Sequence, residues 1–114
     1  MLEAFALCLA SVHDGDSFRT CEGTRVRLAA IDAPEWESSP RCTDPRRRAR
    51  AVCDNALAAR SRDALAALLA QGALCVDEGP DVYQRRLYRC TVNGRDVGEA
   101  MVSGGFATWY GVWG

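Results

Sequence analysis

Arg27-Leu28-Ala29-Ala30-Ile31-Asp32-Ala33-Pro34-Glu35 holds the end of a strand, a proline break and two acidic residues in nine positions. Arg25 to Ile31 has the short alternating pattern of a strand, with Arg27 between Val26 and Leu28. Pro34 has no N–H to give a ladder, so the sheet breaks at Asp32-Ala33-Pro34-Glu35. Two acidic residues therefore fall where the chain leaves the sheet.

Reading outward, Ala4 to Val12 alternates, with Phe5, Leu7 and Leu9 on one face of a half-buried strand. His13-Asp14-Gly15-Asp16 is turn chemistry, and Ser17 to Cys21 returns as a second strand. Glu22-Gly23 turns into the strand quoted above. Trp36 to Pro45 reads as loop, and about Arg46 to Ala70 as helix, with Leu57, Ser61, Ala64, Leu65 and Leu68 on one stripe. Gln71-Gly72 stops it. Ala73 to Asp77 and Arg86 to Val92 make a fourth and a fifth strand, and Asp96-Val97-Gly98-Glu99 is a capping box opening a short helix. The fold class expected is a mixed β-barrel with helices (α+β), a five-stranded OB-type barrel forming a single domain over 1–114.

At 48% hydrophobic and 25% charged, the 114 residues suit one soluble globular domain. No apolar run approaches the ~20 residues of a membrane span, so no membrane partner is expected. Phe5 to Ala10 lacks a preceding basic segment and reads as strand rather than signal peptide. The net charge of −1 argues against nucleic-acid binding through bulk electrostatics alone. All 14 basic residues are Arg. Selection for bidentate phosphate contacts and plain Ala/Arg compositional drift both account for that.

Three short segments carry chemistry: Asp14-Gly15-Asp16-Ser17, Arg27 to Glu35, and Asp81-Val82-Tyr83-Gln84-Arg85-Arg86. Taken singly each has an ordinary explanation, because Asp-Gly-Asp is common in turns and strand or loop Arg usually meets water. Together, with Val102-Ser103-Gly104-Gly105-Phe106-Ala107, they resemble the staphylococcal nuclease-like (thermonuclease) family in order and spacing. The resemblance runs from about Ala4 to Tyr110. It implies an OB-fold, calcium-dependent endonuclease acting on DNA and RNA and leaving 3′-phosphate ends. Residue by residue, it implies Asp16, Asp32 and the carbonyl of Ala33 as calcium ligands. It makes Glu35 the group that activates water, and Arg27 and Arg85 the phosphate grips. Tyr83 becomes a nucleotide contact, and Trp109, Tyr110 and Trp113 are candidates for further aromatic contacts, with core packing the more ordinary reading for these three. The chemistry asks for such groups independently: hard oxygen ligands suit calcium, and guanidinium forks meet the charge that builds on a phosphoryl group.

Departures are Ala33 where Thr is frequent, Val82 where a base is frequent, and Gln84 and Arg86 where Gly is frequent. If that Gly at 84 needs positive φ, Gln84 would redirect the loop bearing Arg85. A catalytically inactive OB-type module that binds nucleic acid or protein is the alternative function.

Six Cys in so short a chain suggest a disulfide framework and an oxidising compartment, secreted or periplasmic, with any leader absent from this sequence. Zinc fits poorly, with no C-x-x-C and one His. A hairpin placing Val12 opposite Ser17 also places Cys8 opposite Cys21, within disulfide reach. Cys75 and Cys90 sit on neighbouring strands, which leaves Cys42 with Cys53. A monomer is expected.

Overall fold

The computed structural model describes residues 3–110. Its strands are β1 (Phe5–Ala6), β2 (Leu9–Asp14), β3 (Ser17–Thr20), β4 (Arg25–Leu28) and β5 (Ile31–Asp32), then β6 (Leu74–Pro80), β7 (Arg86–Val92), β8 (Arg95–Asp96) and β9 (Thr108–Trp109). Its helices are α1 (Pro40–Thr43), α2 (Pro45–Arg48), α3 (Asn55–Leu69) and α4 (Val97–Ser103). The main sheet runs β1-β6-β7-β4-β3-β2, with β8 added to β7, and β5 and β9 form a separate pair. Only Leu7-Cys8 separates β1 from β2, yet these strands lie at opposite edges of that order. One segment thus serves both edges, and the sheet curls into a half-barrel. The β4–β7 pair is parallel and the other pairs are antiparallel, so the sheet is mixed. The fold is α+β and OB-like, with more and shorter strands than the five expected.

The differences have local causes. Ala30 takes φ 73°, which a strand cannot accommodate, and it splits the expected third strand into β4 and β5. The expected first strand divides into β1 and β2 where Leu7 donates to Ala73 O at 2.9 Å. In the β2–β3 hairpin, Leu9 faces Thr20, as the cysteine pairing requires, but two bulges shift Val12 opposite Phe18 and Asp14 opposite Ser17. The long helix starts at Asn55 rather than near Arg46, because Asp54 caps it by accepting from Leu57 N–H at 3.0 Å. The stretch read as loop contains α1, and α2 follows a second cap at Asp44. The buried stripe of α3 is Ala58, Ser61, Leu65 and Leu69; Leu57, expected inward, is 38% exposed.

The core gathers Phe18, Val26, Leu28, Ile31, Leu65, Met101 and neighbours between the curled sheet, α3 and α4. The disulfides are Cys8–Cys21, Cys42–Cys53 and Cys75–Cys90, the first and last expected from neighbouring strands and Cys42–Cys53 as the remaining pair. Each closes a loop of 11 to 15 residues, worth about 3 kcal/mol by chain entropy. They suit an oxidising, extracellular-type environment. No helix among the described residues is long and apolar enough to cross a membrane.

Candidate active site

The β2–β3 turn buries two carboxylates side by side. Asp14 and Asp16 are each 3% exposed. Asp14 Oδ1 accepts from the Ser17 hydroxyl at 2.7 Å and from Asp16 N–H at 3.1 Å, the local bonding that Asp favours in turns. Gly15 between them admits no side chain: a Cβ there would lie 2.5 Å from Ser61 Cβ on α3 and 2.8 Å from Ala33 Cβ. Glycine thus lets the turn press against α3 and against the segment leaving β5. That segment answers with Ala33 N–H, which donates to Asp16 Oδ2 at 2.8 Å.

Arg27, on β4, braces the kink at Ala30 by donating to Leu28 O at 3.1 Å and Ile31 O at 2.9 Å. The same guanidinium stands 3.7 Å from both Asp16 and Asp32. Glu35 is fixed through its backbone: its N–H donates to Val52 O at 2.7 Å, and its carbonyl accepts from Asp54 N–H at 3.2 Å. The chain between them, α1 and α2, forms a strap tied by Cys42–Cys53. From the strap, Arg41 donates to both Asp32 oxygens, at 2.6 and 2.8 Å, and lies 3.7 Å from Glu35 Oε2.

Asp14, Asp16 and Glu35 each bring a carboxylate oxygen within 4.8 Å of the others. Burial, reinforced by the charge of Asp14, pushes Asp16 well above the ordinary carboxylate range. Burial also raises Asp14 and, with the charge of Asp16 adding to it, Glu35. Asp16, Asp32 and Glu35 lie within 4 Å of Arg27 or Arg41 while Asp14 meets neither, so four carboxylates against two guanidinium groups leave two formal negative charges. Ser39 Oγ is buried in the wall of the same cleft, beside Glu35. Hard oxygen donors and two uncompensated charges fit a hard divalent cation.

The cleft spans about 660 Å³ and is lined by Arg19, Arg25, Arg27, Arg41, Arg47 and Arg85 around these acids. Six of 14 arginines on one face explain how a chain of net charge −1 presents a basic surface. Arg85 is held by Asp81 at 2.7 Å, and Gln84 takes φ 69°. Gln84 thus adopts the left-handed geometry a glycine would supply, and the loop still delivers Arg85 to the cleft. The guanidinium groups of Arg47 and Arg85 lie 5.2 and 5.6 Å from the Tyr83 ring centroid. Arg86 instead pairs with Asp77 at 2.9 Å and is absent from the cleft wall.

The structure therefore brings Asp16, Arg27, Glu35, Tyr83 and Arg85 to one cleft. Asp32, bound to Arg41, is absent from that cleft's wall and lines a second, smaller cavity together with Ala33. Ala33 offers its N–H inward to Asp16. Tyr110 is 62% exposed and stacks on Arg27 at 5.1 Å; Trp109 is 39% exposed, so neither is core. Trp113 lies outside the described residues. The sequence reading missed Asp14 as a member of the acidic cluster, although Asp-Gly-Asp carried that signal. It also missed Arg41, which follows no motif, and it took the run Arg46-Arg47-Arg48 as a solvated face, whereas Arg47 lines the cleft.

Fold and cleft together define the class: a small α+β domain on an OB-like half-barrel, with an acidic cluster rimmed by arginines. The family model for staphylococcal nuclease homologues matches residues 25–114, most of the chain, so the chain belongs to the staphylococcal nuclease family. No curated protein matches it.

Proposed function

We propose that this domain is a calcium-dependent endonuclease that hydrolyses phosphodiester bonds of DNA and RNA. The observation that carries the reading is the convergence of three carboxylates with Arg27 and Arg85 on a single cleft. Asp16, Asp32 and the carbonyl of Ala33 are the proposed calcium ligands, with Asp14 beside them. A hard cation held there supplies Lewis acidity toward a phosphate oxygen and toward water.

The remaining steps belong to the chain's own groups. Glu35 accepts a proton from the attacking water as its oxygen bonds to phosphorus. Arg27 and Arg85 donate to the non-bridging oxygens, where charge accumulates. The bond to the 5′-oxygen breaks, that oxygen leaves with the electron pair and takes a proton from solvent, and a 3′-phosphate remains. Tyr83 and Tyr110, both exposed beside arginines, offer faces on which bases can stack. The protein acts as a secreted or periplasmic monomer.

One observation favours a different reading, a non-catalytic nucleic-acid-binding module: Arg41 occupies both oxygens of Asp32. The two are separated by comparing the wild type with Glu35→Gln on plasmid DNA and single-stranded RNA in calcium. Cleavage by the wild type and not by the variant supports the enzyme. Binding of both substrates with no cleavage by either protein supports the module.

A further inference from the structure

Asp32 is 5% exposed, and a carboxylate so buried needs its charge answered. Arg27 reaches it only at 3.7 Å, whereas Arg41 meets it with a two-pronged fork at 2.6 and 2.8 Å. The fork is itself anchored, because Arg41 Nη2 also donates to Arg50 O at 2.7 Å. Arg41 precedes Cys42, which is buried and disulfide-bonded to Cys53. Cys53 in turn bridges the backbone at Glu35. The strap is braced once more by Arg48, which donates to Cys42 O at 3.1 Å. Arg41 is therefore set against Asp32 by covalent and main-chain ties.

We propose that Arg41 is a resident counter-ion of Asp32 that competes with a divalent cation for this carboxylate. The inference rests on the reading that the cleft holds a cation. A guanidinium fork takes one lone pair on each oxygen, so a cation cannot chelate both oxygens of Asp32 while the fork is in place. Two positive centres sharing one buried carboxylate also repel each other across a poorly screened distance. A cation chelated by Asp32 must move the Arg41 fork aside, and the strap that carries it opposes that movement. Arg41 thereby sets the cation concentration at which the site fills, and acts as a positioning residue of the strap.

The test is calorimetric titration of calcium alone into the full chain, at one pH and ionic strength, for wild type, Arg41→Gln and Arg89→Gln. Arg89 pairs with Glu78 outside the cleft wall and controls for loss of one positive charge. Removing two charge-assisted hydrogen bonds that compete with the ion should lower the calcium Kd of Arg41→Gln roughly tenfold or more. Arg89→Gln should match wild type. Heat unfolding gives a second readout: calcium-free Arg41→Gln melts below wild type, since Asp32 is left unanswered, and gains more from calcium. If Arg41→Gln does not fold, Arg41→Met, which removes charge and fork but keeps an unbranched side chain to fill the space, is judged by the same tightening. Calcium affinity equal to or weaker than wild type in the folded variant overturns the Arg41 proposal and leaves the nuclease reading standing. No calcium binding by any of the proteins overturns both.

Discussion

Gly15→Ala adds one methyl group where the structure has no room for it. The new Cβ would stand 2.5 Å from Ser61 Cβ and 2.8 Å from Ala33 Cβ, whereas carbon atoms pack at about 3.5–4.0 Å. Neither neighbour yields freely. Ser61 is 2% exposed on α3 and tied by its hydroxyl to Phe106 O at 2.6 Å; Ala33 is tied by its N–H to Asp16 at 2.8 Å. Relief therefore requires the turn to back away from α3, carrying Asp14 and Asp16 with it. Overpacking of this kind costs about 1–3 kcal/mol. For a domain near this size, that lowers the melting temperature by about 5–15 °C. Displacing two carboxylates of the acidic cluster should also weaken calcium binding. The assay is heat unfolding followed by circular dichroism, with and without calcium, alongside Gly15→Ala/Ala33→Gly, which removes one clash and should recover part of the loss. A Gly15→Ala protein that melts with the wild type and binds calcium equally well would refute the argument that this close approach positions the acids.

Glu35→Gln should lower kcat by roughly 10²–10⁴ in a steady-state cleavage assay while the fold, read by circular dichroism, is unchanged. Arg85→Lys should be severe because it breaks the fork, whereas Arg86→Ala, on the Asp77 pair outside the cleft wall, should cleave at close to the wild-type rate; the reverse order would contradict the placement of the loop. Burial raises Asp14, Asp16 and Glu35, so they bind protons more tightly folded than unfolded. Their stabilising contribution is full below the ordinary carboxylate pKa near 4 and is lost as pH rises through the raised values. The calcium-induced gain in melting temperature should therefore grow from about pH 4 to neutrality, and a gain that stays flat across that range would count against the cluster.

Much of this architecture was legible because local chemistry and tertiary packing agree. The strand at Arg86 to Val92, the capping box at Asp96 to Glu99 and the cysteine pairing all follow from short-range rules that the fold then respects. What escaped is where packing overrides pattern. Ala30 carries no sign of its positive φ, which is held by Arg27 bonding on both sides of the kink. Nothing in the alternation around Val12 announces the bulges that bring Asp14 opposite Ser17. Arg41 falls in the stretch read as loop and Arg47 at the start of the stretch read as the long helix, and only the strap's disulfide and its return to Glu35 bring them to the cleft. Leu57 illustrates the converse, since helical spacing alone puts it inward while the helix turns Ala58 to the core instead.

The most direct measurement follows cleavage of an end-labelled single-stranded oligonucleotide by the purified chain in calcium, in magnesium and in excess chelator, with the new ends identified. The expected result is cutting in calcium, with fragments ending in 3′-phosphate, and none in chelator. Full cleavage in chelator, or none in calcium with the oligonucleotide bound, would contradict the proposed function.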